Sequence, residues 1–282
     1  MLKYIKQAKA AFGMLNPDEV RRRAERPLHI GLVASSEAGY SEMEDFLAPP
    51  TLPREKRIEL MGFVHRAGDQ DVPAKVDVVL YQGGLAVPGG AFTYLRQDPD
   101  STVRAILASD DELSLALARK FPAFRKTVVD NIIQSVAREN AMFAIATALP
   151  NILPNLMELP WAFGEFASDT AFLTANQVRM AFQIGAACGC DIGFANQKAA
   201  VVSIVGSAFG WRALARELAG KIPLGEGLIP KGAIAYAGTF VVGKAIQHFQ
   251  NGEALSKDEQ EAVYRTALDH GRTVAESLNK PA

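Results

Sequence analysis

At Phe121-Pro122 the hydrophobic pattern of this chain changes its period, and that change limits the fold more than any other feature. Before it, short β-branched apolar runs alternate with polar stretches. After it, long alanine- and glycine-rich apolar segments take over and strand signals stop. Strands bury alternate residues and helices bury every third or fourth, so one repeating architecture does not serve both halves. With 282 residues, 49% of them apolar, there is material for two cores. The expected fold class is α/β plus all-α: a small parallel-sheet domain followed by a mostly helical bundle rich in glycine and alanine.

The boundaries follow from local signals. Residues 1–26 read as a basic helical lead-in, with Tyr4, Ile5, Ala8, Ala11, Phe12 and Leu15 on one face at a period near 3.6. Its seven Lys or Arg outnumber Asp18, Glu19 and Glu25, a composition suited either to an anionic membrane surface or to packing on its own protein. Asn16-Pro17 separates it from a second short helix beginning at Asp18. Residues 27–126 form the α/β region, with strands expected at Leu28–Ala34, Met61–His65, Val76–Tyr81 and Val103–Ala108. Helices are expected between them at Ser41–Leu47, Gly90–Leu95 and Asp111–Lys120. Residues 127–282 read as five helices: Thr127–Leu149, Ala175–Ala187, Ala199–Leu218, Lys231–Phe249 and Asp258–Leu278, divided by proline- and glycine-bearing linkers.

The segment after the first expected strand, Ala34-Ser35-Ser36-Glu37-Ala38-Gly39-Tyr40-Ser41, occupies the place of a phosphate loop. Such a loop runs Gly, four residues, Gly, Lys, then Ser or Thr, and its backbone N–H groups cradle phosphate oxygens at a helix N-terminus. Gly39 and Ser41 keep the pattern, but Ala34 replaces the first glycine and Tyr40 the lysine. A phenol is neutral at pH 7 and supplies no charge for β- and γ-phosphates. Glu37 adds a carboxylate inside the loop, which repels a polyanion at short range. Neither Asp-x-x-Gly nor Asn-Lys-x-Asp occurs in the chain. The expectation is a degenerate GTPase-like unit without catalysis and without a cofactor. The enzyme alternative is a weak nucleotide hydrolase using Ser41 and backbone N–H groups.

Charge and cysteine content narrow the partners. A net charge of -1 gives no basic field, so nucleic acid is not an expected partner. The two cysteines, Cys188 and Cys190, are a poor disulfide framework, and with no four-ligand spacing they suggest a turn rather than a metal site. His65 with Asp69 and Asp71 invites an acid-base reading, set against an ordinary polar loop. Asn140–Met157 holds no charged residue over 18 positions, close to a membrane-spanning length, but is interrupted by Pro150 and Pro154. The runs Ala199–Trp211 and Gly232–Gly243 are of core-helix or re-entrant length. Gly206 and Gly210 form a small-xxx-small pair that permits close helix packing and self-association.

Lys221-Ile222-Pro223 through Pro230, Gly238-Thr239-Phe240 and Phe249-Gln250-Asn251-Gly252, with Arg125–Leu156 and Leu173–Cys190, carry a resemblance. In this order they resemble the YcjF-like helical domain of unknown function that accompanies Era/TrmE-like GTPases in bacteria. The resemblance covers about Phe121 to Leu268 and implies membrane association, on the cytoplasmic side of the inner membrane, without assigning an activity. The sequence therefore suggests a non-catalytic protein acting through partner or membrane binding. The alternative to a membrane location is a cytoplasmic, soluble helical scaffold that oligomerises.

Overall fold

The computed structural model describes residues 17–147, 169–192 and 228–278. The described chain divides into two compact units, one formed by Asp18–Asp130 with Ala186–Cys190, the other by the described residues of Asn131–Gly185 and Asp191–Ala282. The first is α/β and the described part of the second is helical.

In the first unit, α1 (Pro17–Ala24) leads to β1 (Ile30–Val33), followed by α2 (Glu37–Leu47), α3 (Arg54–Met61) and β2 (Val64–Arg66). Then come β3 (Val78–Gln82) and β4 (Phe92–Tyr94), α4 (Pro99–Ser109), a 3-10 turn at Asp111–Leu113, and α5 (Ser114–Lys120). The sheet is parallel throughout, in the order β2-β1-β3-β4, with Ile30 beside both Val64 and Val78, and Leu80 beside Phe92. Ile30, Leu32, Val78 and Leu80 project to one side and are almost wholly buried, together with Met43 and Leu47 of α2. Burial of each such side chain stabilises the fold by about 1.5–3 kcal/mol, so this layer outweighs the polar contacts at the rim.

Three expectations are corrected here. Residues 103–108 are not a strand but the body of α4. Asp98 caps that helix by accepting the Ser101 N–H at 3.1 Å, Pro99 stands in its first turn, and the buried Thr102, Val103, Ile106 and Leu107 recur at helical spacing. Residues 90–95 are not a helix: Phe92–Tyr94 form β4, reached through Gly84 and Gly90, both at positive φ. The links 67–77 and 83–91 carry no helix, so the sheet is wound with unusually short crossovers. The expected strand at 61–65 also begins late, because Met61 ends α3 and only Val64–Arg66 pair with β1.

The helical unit contains α6 (Pro122–Ala146), which enters it at Asn131, then α7 (Asp169–Ala187), α8 (Leu228–Gln250) and α9 (Lys257–Leu278). Of the five helices expected here, Ala199–Leu218 lies outside the described residues, as does the pair Gly206 and Gly210. Ala233, Ala237 and Val241 of α8 pack against Tyr264, Ala267 and Leu268 of α9. Gly271 of α9 has Ala233 O and Tyr236 Cβ each 3.0 Å from where a Cβ would stand, so the two backbones meet at a distance only small residues permit. Gly243 sits as closely on Ile133 and Met180. The run Gly232–Gly243 is therefore part of a protein core. Through that core runs a polar chain: Asn176 Nδ2 donates to Asn140 Oδ1 at 2.8 Å, Asn140 Nδ2 to Thr239 Oγ1 at 2.8 Å, and Thr239 Oγ1 to Ala235 O at 2.9 Å. All three side chains are buried, which fixes α6, α7 and α8 in one register, since slipping any helix strands amide groups in apolar surroundings.

Candidate functional site at the C-terminal edge of the sheet

Open parallel sheets bind ligands beyond the carboxyl ends of their strands, at the point where successive connections leave in opposite directions. Here that point lies between β1 and β3, since β1 has β2 on one side and β3 on the other. The edge gathers Ser35 and Ser36 after β1, Arg66 ending β2, Gln82 ending β3 and Tyr94 ending β4. The first turns of α2 bring Glu37, Tyr40 and Glu44 to the same edge.

The eight-residue window read as a phosphate loop divides in two. Ala34, Ser35 and Ser36 make the connection, and Glu37, Gly39, Tyr40 and Ser41 already belong to α2. Ser36 is the N-cap, its Oγ accepting the Gly39 N–H at 3.2 Å. Gln82 supplies a second acceptor: its Oε1 takes the Ser35 N–H at 2.9 Å and the Ser35 hydroxyl at 3.0 Å. A Cβ on Gly39 would stand 2.5 to 2.8 Å from the Gln82 carboxamide. Glycine at this position thus leaves room for a side chain of the protein itself, and an alanine would displace the Gln82 carboxamide. A phosphate cradle leaves such N–H groups pointing at the ligand, whereas here neutral oxygens of the protein engage them.

The charged groups at this edge are also engaged with one another. Arg66 donates to Glu44 at 2.6 and 3.0 Å and to Glu37 at 2.6 Å, and its guanidinium lies 5.1 Å above the Tyr40 ring. Hydrogen bonds to Glu44 first, then Glu37, hold that guanidinium protonated well above even the ordinary arginine range. The Tyr94 hydroxyl is pushed up chiefly by burial, with Glu42 adding to the effect. One arginine against two carboxylates leaves this cluster with a net negative charge, the wrong sign for a phosphate ligand. Ser41, the hydroxyl of the loop reading, is exposed on α2. Neither Arg66 nor Gln82 was visible as a site residue in the sequence, where the one available signal is that each ends a short apolar run.

The remaining candidates fall into structural roles or outside the described residues. Asp69 accepts the Arg66 backbone N–H at 2.7 Å and closes a turn, while His65 faces His29 rather than Asp69, its Nε2 3.0 Å from His29 Nδ1. Cys188-Gly189-Cys190 ends α7: Gly189 at φ 83 returns its N–H to Ala186 O, and Arg119 and Arg125 donate to carbonyls of that last turn. The Cys188 thiol is pushed up by burial. Among the described residues, no group of three or more His, Cys, Asp or Glu side chains is placed to hold a metal ion, and no helix is long and apolar enough to cross a membrane. The lead-in up to Asn16 and the linker at residues 148–168 lie outside the described residues. Comparison with protein families, with curated proteins and with solved structures gives no significant match to this chain.

Proposed function

We propose that this chain is a non-catalytic, membrane-associated protein, and that its α/β unit keeps the strand-turn-helix layout of a GTPase-like phosphate-binding domain without its ligand. The carrying observation is Gln82. Its carboxamide oxygen accepts the Ser35 N–H at the N-terminal end of α2, where a phosphate oxygen would bind. Breaking that bond to admit nucleotide returns no cation, because Tyr40 stands where the lysine belongs and Arg66 is engaged by Glu37 and Glu44. Function then rests on binding partners or a membrane surface, and the basic lead-in with Lys3, Lys6 and Lys9 supports the latter.

Calorimetry with GTP and ATP in the presence of magnesium tests the first half of this reading, and no heat of binding and no phosphate release are expected. Micromolar binding with turnover would overturn it. Fractionation after a carbonate wash, together with sedimentation on vesicles containing anionic lipid, tests the second half. Recovery with the membranes or vesicles is expected, and a chain found only in both supernatants refutes it.

A further inference from the structure

The face of the sheet opposite the α2 packing layer carries His29 and His65 on neighbouring strands. His29 stands just before β1, and His65 is paired with Gly31, so the two histidines are diagonal neighbours across the β1–β2 ladder. Gly31, opposite His65, has Val76 Cγ1 only 3.2 Å from where a Cβ would stand, and the two histidine rings approach with centroids 5.1 Å apart. Their facing nitrogens, His29 Nδ1 and His65 Nε2, are 3.0 Å apart. The backbone that holds His29 is fixed from its other side by Asp77, whose carboxylate accepts the His29 N–H at 3.0 Å and whose N–H donates to His29 O at 2.9 Å. That carboxylate is itself nearly buried, with Arg26 and Lys75 each at 3.8 Å. Lys120 lies over the neighbouring Phe63 ring.

Two imidazole nitrogens this close can converge on one metal ion once the proton between them has left the facing nitrogen. With metal–nitrogen bonds of about 2.0–2.1 Å, a separation of 3.0 Å subtends about 95° at a shared metal ion. A tetrahedral zinc angle would need the nitrogens about 3.3 Å apart. An angle near 90° is the adjacent-ligand angle of square-planar and octahedral ions, the geometry of copper(II) and nickel(II) with nitrogen and oxygen ligands. We propose that His29 and His65 form a two-imidazole site for a late transition-metal dication of this class, with water completing the coordination. In the metal-free protein one facing nitrogen carries a proton and donates it to the other. On binding, that proton leaves the facing nitrogen, so each histidine offers the metal a lone pair as a neutral imidazole. The Asp77 carboxylate supplies a fixed negative charge beside the site, offset by its two cationic neighbours, so affinity rests on the imidazoles.

The test is a nickel(II) titration of the full chain, followed by calorimetry, compared with His29→Ala and His65→Ala. Binding in the micromolar range is expected, with at least a tenfold loss in each variant, while His248→Ala and His270→Ala leave it unchanged. No binding by the unaltered chain, or a loss below tenfold in either variant, overturns the proposal. Because an alanine variant that fails to fold would also lose binding, copper(II) is bound to a Cys188→Ser/Cys190→Ser chain with both histidines intact. Its electron paramagnetic resonance spectrum is expected to show coupling to two imidazole nitrogens, and a spectrum without that coupling refutes the site.

Discussion

Gly243→Ala places one methyl group in the core of the helical unit, and two opposing effects decide its outcome. Replacing glycine by alanine inside a helix is worth about 1 kcal/mol of helix propensity in favour of the variant. Against this, the new Cβ would lie 2.7 and 2.8 Å from Cγ1 and Cγ2 of Ile133 and 3.1 Å from the Met180 sulfur. Carbon atoms rest at about 3.5–4.0 Å, so Ile133 must yield by most of an ångström at two atoms together. Ile133 is β-branched, stiff at χ1 and fully buried, so no rotamer relieves both contacts. Overpacking of this kind costs about 1–3 kcal/mol, and a clash with two atoms of one stiff residue belongs in the upper part of that range. The net expectation is a destabilisation of about 1–2 kcal/mol, or about 2–8 °C in Tm, read by circular dichroism on heating. Ile133→Ala removes the clashing atoms, so the double variant should show a favourable coupling of about 1 kcal/mol. A Gly243→Ala variant with a raised Tm would refute the close packing and leave α8 an ordinary helix.

Two further perturbations test neighbouring features. Asn140→Leu strands the Asn176 amide in the core and should cost about 1–3 kcal/mol in urea denaturation, with part recovered when Asn176→Leu is added. Glu259 closes a capping box on α9, accepting the Ser256 N–H at 2.8 Å and its hydroxyl at 2.7 Å, which holds its carboxyl below the usual range. The contribution of a lowered carboxyl is complete above its unfolded pKa and is lost as pH falls through the folded one. Ser256→Ala should therefore move the Glu259 midpoint upward in an NMR titration, and an unmoved midpoint would exclude the cap.

The sequence made the larger divisions legible because they are properties of periodicity. The α/β-then-helical order, β1, β3, α2 and the helices around Ala175–Ala187 and Lys231–Phe249 all follow from spacing of apolar residues. The corrections have two causes: alternation of strands with helices does not extend to the link 83–91, which holds no helix, and the strand-like residues 103–108 follow a helix start. Val103, Ile106 and Leu107 have β-branched or aliphatic character suited to a strand, but Asp98-Pro99 is a start signal that outranks it. The edge chemistry was less visible, since Gln82 meets Ser35 and Arg66 meets Glu37 and Glu44 across separations that only strand pairing brings together. The same holds for His29 and His65, which are 36 positions apart in the chain and 3.0 Å apart in the fold.

The occupation of the α2 N-terminus by Gln82 is open to direct observation through the backbone amides of Ser35 and Gly39. In a 15N-labelled chain both resonances should stay in place on addition of millimolar GTP or ATP with magnesium, and the Ser35 amide should shift on Gln82→Ala alone. Movement of the Ser35 and Gly39 resonances with nucleotide, in the unaltered chain, would contradict a closed phosphate site.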